Sequence, residues 1–135
     1  RLLDLNVALI ERLAGWLGVR TPLRLASALA APGSRGEHLA ALCERLGATD
    51  YLSTPGAEAY LHEDREAFDR RGIRIWLHEY THPDYAQRHA PFAPYASAID
   101  AVLCLDDQAG AVMRGGRRPL RPLGATASPL TPETA

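Results

Sequence analysis

Within "GIRIWLHEYTHPDY" the chain carries His78, Glu79 and His82 in the order H-E-x-x-H. Zinc peptidases use that order to hold a metal on two histidines and to activate water with the glutamate. The chemistry needs a helix, because only one helical turn brings both rings to one ion. Ile73, Trp76, Leu77 and Tyr80 do recur at helical spacing. Against a helix, Ile73, Ile75 and Leu77 alternate with Arg74, Trp76 and His78, Gly72 closes the preceding segment, and Pro83 disfavours helical geometry at His82. In the strand this pattern predicts, the two histidines stand about 13 Å apart, too far for one zinc ion. A third ligand is also missing, since the extended motif would need glycine at Tyr85 and histidine at Arg88. A zinc-dependent hydrolase acting through His78, Glu79 and His82 is therefore the weakest reading, and no metal is expected.

A denser constellation surrounds the motif. His78, Tyr80, His82, Tyr85, Gln87, His89, Phe92 and Tyr95 fall within eighteen positions, punctuated by Pro83, Pro91 and Pro94. Loops leaving the C-terminal ends of strands are where α/β proteins place their sites. Histidine there can act as a general acid or base, and tyrosine or glutamine can orient a substrate hydroxyl or amide. The same residues also read as an ordered surface loop packed over its own aromatics. A second element is "DYLSTPGAEAY", in which a strand runs into Ser53-Thr54-Pro55-Gly56 and a helix start. Such a turn presents free backbone N–H groups to a phosphate or carboxylate; an ordinary helix cap has the same sequence.

The elements that must position these residues follow from periodicity. "RLLDLNVALIERLAGWLGV" carries two apolar stripes at helical spacing and stops near Gly18. "TPLRLAS" alternates and predicts a short strand. "SRGEHLAALCERLG" predicts a helix with Ser34 and Glu37 in capping-box spacing, ending at Gly47. "TDYLS" predicts a strand, "TPGAEAYL" a helical turn opened by Pro55, "EDREAFDRR" a polar helix ending at Gly72, "IRIWLHEY" a strand, and "SAIDAVLCL" a helix capped by Ser97. The β-α-β-α-β order predicts an α/β chain, a three-layer-like sandwich with a small, at least partly parallel sheet, as in a Rossmann-like fragment. Residues 1–113 are expected to form the domain. From Arg114 the chain is rich in Gly, Pro and Arg without an apolar period, so 114–135 is expected to be a disordered tail.

Composition sets the outer limits. The 135 residues are 47% hydrophobic with a formal net charge of -1. That fits a globular chain and gives no electrostatic pull toward nucleic acid. No apolar run approaches the roughly 20 residues that span a membrane. All fifteen basic residues are arginine. Cys43 and Cys104 lie in apolar helical patterns, so free buried thiols and a reducing, cytoplasmic setting are expected. The chain opens inside a helical pattern without methionine, and the expectation is that it is the C-terminal part of a longer protein.

Taken together, "TDYLSTPGAEAYL", "RGIRIWLHEYTHPDYAQ" and "FAPYASAIDAVL" resemble the second half of the WbqC-like proteins of bacterial surface-polysaccharide clusters. The resemblance rests on Tyr51, Leu52, Ser53, Pro55 and Gly56; on Tyr60, Leu61, Gly72 and Ile73; on Pro83, Tyr85 and Gln87; and on Phe92, Pro94, Ser97 and Asp100. It implies a role in O-antigen biosynthesis, and a glycine transferase activity has been proposed for one family member. The implied partners are a sugar nucleotide or glycan intermediate and an activated amino acid donor, with no cofactor. In that reading His78 or His82 is the general base. Tyr85 and Gln87 position the acceptor, Ser53 to Gly56 (with Pro55) hold an anionic group, and Tyr60, Tyr80 and Asp100 are further substrate-binding residues. A non-catalytic sugar-nucleotide or glycan-binding module is the alternative. Two departures stand out. The family's N-terminal H-Q-P-x-Y-x-P-W-like segment is absent from this chain, and Cys104 and Asp106 stand where asparagine and glycine are frequent.

Overall fold

A computed structural model describes residues 1–125. In chain order its elements are helices α1 (Leu2–Trp16) and α2 (Arg35–Arg45), strand β1 (Asp50–Ser53), helices α3 (Glu58–Glu63) and α4 (Arg65–Asp69), and strand β2 (Arg74–Leu77). Helices α5 (Ala98–Leu105) and α6 (Ala109–Gly115) and the two-residue strand β3 (Arg121–Pro122) follow. The fold is α/β. Its contacts cluster into two units, Arg24–Glu79 with residues 119–125, and Arg1–Leu23 with Tyr80–Arg118.

The unit built on Arg24–Glu79 contains the sheet, in the order β1-β2-β3. Strands β1 and β2 run parallel, with Tyr51 opposite Ile75 and Ser53 opposite Leu77. The crossover between them is the α3–α4 pair. The alternation in "IRIWL" is realised as expected: Ile73, Ile75 and Leu77 are buried and Arg74 is exposed. They pack with Phe68 and Leu61 from the crossover helices and with Ala40 and Cys43 from α2. Fully burying one large side chain such as Phe68, Leu61 or Leu77 contributes about 1.5–3 kcal/mol. Gly72, the expected helix stop, has φ +65°. Its left-handed backbone turns the chain out of α4 and into β2, a conformation open to glycine without strain.

Two expectations fail in the segment before β1. "TPLRLAS" forms no strand; the chain runs irregularly into a 3₁₀ turn at Ala26–Leu29. Alternation alone does not make a strand when no sheet edge accepts it. Ser34 is the N-cap of α2, but its side chain makes no cap bond. Asp64 supplies the cap instead, accepting the Gly36 N–H at 3.0 Å, while Glu37 pairs with Arg70 and Arg71.

Residues 114–125, expected to belong to a disordered tail, have defined structure. Strand β3 pairs antiparallel with β2, Trp76 opposite Pro122 and Leu77 opposite Arg121, and Leu123 is buried in the core. Ion pairs add to that apolar anchor. Arg121 is 11% exposed and grips Glu58 with two bonds of 2.9 Å while its Nε donates to Glu79 at 3.0 Å. The rest of the expected tail, 126–135, lies outside the described residues.

The second unit is helical. Helix α1 is confirmed, yet none of its residues is buried. Leu2, Leu5, Leu9 and Trp16 lie along one exposed stripe, each about half exposed or more. Among the described residues no helix is long and apolar enough to cross a membrane.

Candidate functional site

The loop from Tyr80 to Ser97 carries four of the ten residues singled out from sequence, Asp100 on α5 stands just beyond it, and both its ends are fastened. At its start Tyr80 forms an antiparallel bridge with Arg117, and the Thr81 N–H donates to Gly116 O at 2.9 Å. This approach requires glycine at 116, since a Cβ there would lie 2.3 Å from Thr81 O and 2.6 Å from the Tyr80 ring. The Tyr80 hydroxyl donates to Met113 O at 3.0 Å. At its far end Ser97 caps α5, its Oγ accepting the Ile99 N–H at 3.3 Å, as the sequence predicts.

Between these anchors the loop is latched. The Gln87 side-chain amide pairs with the backbone of Ala93 in both directions: Oε1 accepts the Ala93 N–H at 2.7 Å and Nε2 donates to Ala93 O at 3.0 Å. The same Nε2 lies 2.9 Å from Asp100 Oδ2, to which the Tyr85 hydroxyl also donates at 2.7 Å. Asp100 thus draws the loop onto α5. Its carboxyl is held below the usual range, chiefly by the Tyr85 hydroxyl, with the Gln87 amide adding to the effect and burial opposing it. Tyr85 is raised, first by burial and then by the Asp100 carboxylate. Burial of a charged form and hydrogen bonding to it are the terms that act here.

His82 sits inside the latched loop in a box of rings. Tyr95 is 5.0 Å away between centroids, Phe92 6.0 Å, Tyr85 6.1 Å and Tyr80 6.3 Å. Its Nδ1 is buried with no hydrogen-bond partner. Buried polar atoms are normally paired, so an unpaired one asks for a reason. The contrast with its neighbours is clear. Tyr85, Gln87 and Asp100 spend their polar groups on one another and on the backbone, whereas His82 spends none through Nδ1.

The other five residues belong to the sheet unit. Ser53 ends β1, and its carbonyl accepts the His78 N–H at 2.8 Å. Pro55 and Gly56 form a single 3₁₀ turn before α3. Tyr60, on α3, lies beside Tyr51, whose hydroxyl is raised first by burial and then by Tyr60. The structure therefore brings Tyr80, His82, Tyr85, Gln87 and Asp100 together, and gathers Ser53, Pro55, Gly56, Tyr60 and His78 in the other unit.

The H-E-x-x-H stretch is not helical. Strand β2 ends at Leu77, and Tyr80 is already in its bridge. Glu79, the base of a zinc-peptidase reading, is paired with Arg121. Among the described residues no three His, Cys, Asp or Glu side chains are grouped to hold a metal. Sequence reasoning missed Arg121 and Gly116. Neither sits in an apolar period, and only the close approach of Tyr80 and Thr81 reveals what Gly116 does.

An α/β chain with a latched aromatic loop around a histidine is the class that fold and site define. The chain matches the WbqC-like protein family over residues 1–111 and belongs to it. It is 31% identical over 111 residues to the uncharacterized protein Rv1507c of Mycobacterium tuberculosis, covering 82% of this chain and 47% of that protein. The chain thus spans about half the length of the curated relative it matches. No solved structure matches it.

Proposed function

We propose that this chain is part of a cytoplasmic transferase of bacterial surface-polysaccharide (O-antigen) biosynthesis. It moves a glycyl or similar acyl group from an activated amino acid donor to an amino or hydroxyl group of a sugar nucleotide or glycan intermediate. The observation that supports this reading is the His82 Nδ1, buried in the aromatic box without a partner. An imidazole nitrogen not spent on the fold is the group available as general base. His82 takes the proton from the acceptor as its nitrogen or oxygen attacks the acyl carbonyl. A new C–N or C–O bond forms, and the activating group of the donor leaves with its bonding electrons and receives the proton. Tyr85, Gln87 and Asp100 act as positioning residues, because they hold the loop that holds His82. Tyr80 forms one wall of the box. In the sheet unit, Ser53, Pro55 and Gly56, with Tyr60 and His78, are assigned by themselves to an anionic group of the donor or nucleotide.

The test is replacement of His82 by asparagine in the protein as the bacterium makes it, followed by mass spectrometry of the surface glycan. Loss of the acyl decoration is expected, and intact decoration overturns the base assignment. The second reading, a glycan-binding module without turnover, is favoured by the exposed ring of Tyr95. Saturable binding by the wild-type protein with no acyl transfer to any acceptor selects it.

A further inference from the structure

Tyr95 is the one ring of the His82 box that stands mostly in solvent, at 77% exposure. Its backbone is also unusual, with φ +60°. That left-handed conformation is uncommon for a bulky L-residue. The loop nevertheless enforces it. Gln87 fixes Ala93 by two hydrogen bonds, Pro94 follows, and Ser97 caps α5 two residues beyond Tyr95. The ring is steadied against His82 at 5.0 Å and an inclination of 63°. A strained backbone that leaves the ring this exposed gains little for packing beyond the one contact with His82. It does set a rigid, apolar face beside the proposed general base.

We propose that Tyr95 is a stacking platform for a pyranose ring, the sugar portion of the acceptor. The inference rests on the transferase reading above and names its substrate subsite. A pyranose has an apolar face of C–H groups and a rim of hydroxyls. It needs one aromatic face and hydrogen-bonding groups around it, and tyrosine offers an amphipathic ring at low entropic cost. A nucleobase is better held in a slot between two parallel rings. The neighbour of Tyr95 is inclined 63° to it, so that pair makes no such slot. The same loop carries exposed Asp84, Arg88 and His89, side chains suited to sugar hydroxyls. Stacking on Tyr95 would place the sugar beside His82, where its amino or hydroxyl group loses a proton.

The experiment is saturation-transfer NMR on the full chain with a panel of UDP-, GDP- and dTDP-linked hexoses and hexosamines. At least one member is expected to receive saturation on its pyranose C–H protons, more strongly than on its base protons. Tyr95→Ala is expected to reduce that signal at least fivefold, while Tyr95→Phe keeps it. Tyr95→Gly relieves the left-handed backbone, so it is expected to raise Tm while losing binding as fully as alanine. A structural role alone would not produce that opposed pair of effects. Saturation confined to base protons, or undiminished binding by Tyr95→Ala, overturns the platform and leaves the transferase reading standing. Absence of binding by the whole panel overturns both.

Discussion

The two units are held together by different physics. In the sheet unit, Phe68, Leu61 and Leu77 are completely buried and pack in one cluster with Ile73 and Ile75. In the helical unit the only buried apolar side chains are the methyl groups of Ala101 and Ala109, and α1 buries nothing. Order there comes from hydrogen bonds: the Gln87–Ala93 pair, the Asp100 carboxylate, the Ser97 cap and the Tyr80 bridge. An apolar core resists change because its removal leaves a cavity. A polar latch can be opened by altering one proton. The candidate base lies in the latched unit, so chemistry and stability draw on separate sets of residues.

This contrast can be broken at its strong end first. Phe68→Ala is expected to cost about 3–5 kcal/mol, read as a fall in denaturant midpoint, and to unfold the sheet unit at mild temperature. A smaller and local effect is expected from acid. The depressed folded-state pKa of Asp100 means that its contribution is complete above the unfolded value of about 3.9 and is lost as pH falls through the lower folded value. Tyr85, raised in the folded state, contributes below its ordinary value near 10 and loses that contribution as pH rises through the raised one. The latch is therefore closed from about pH 4 to about pH 10. Below that window hydrogen exchange is expected to quicken in residues 85–97 before it quickens in β1 and β2. Simultaneous loss of both regions would mean that the units do not differ as described. The smallest effect belongs to Leu9→Ala on α1, expected to stay within about 0.5 kcal/mol. A penalty as large as that of Phe68→Ala would show that α1 is covered in solution.

The same contrast explains what could be read from sequence. Ile73, Ile75 and Leu77 write their burial into a two-residue period, and Gly72 marks the turn ahead of them, so β2 and its loop were legible. The latch was legible only as a crowd of suitable types. Nothing in "PDYAQ" says that Gln87 will reach six residues along the chain to Ala93, or that Tyr85 and Gln87 will converge on Asp100. Those bonds depend on the path of the loop, which has no period. Strand β3 was illegible for a related reason. Its place is set by Arg121 meeting Glu58 and Glu79, from elements 63 and 42 residues away, and a long-range ion pair leaves no local mark. The alternation in "TPLRLAS" errs the other way, a local mark with no partner to use it.

The Gln87 amide carries one more consequence, in the chemistry of ageing. Hydrolysis of that side chain would exchange its NH₂ for a second oxygen. The donor that now lies 2.9 Å from Asp100 and 3.0 Å from Ala93 O would become an acceptor facing two acceptors. Only the bond from the Ala93 N–H would survive. Two carboxyl groups at that separation hold together only by sharing a proton, so the deamidated loop would close in acid and open at neutral pH. A single lost ammonia would reverse the pH response of the loop around His82 without touching the sheet or its core.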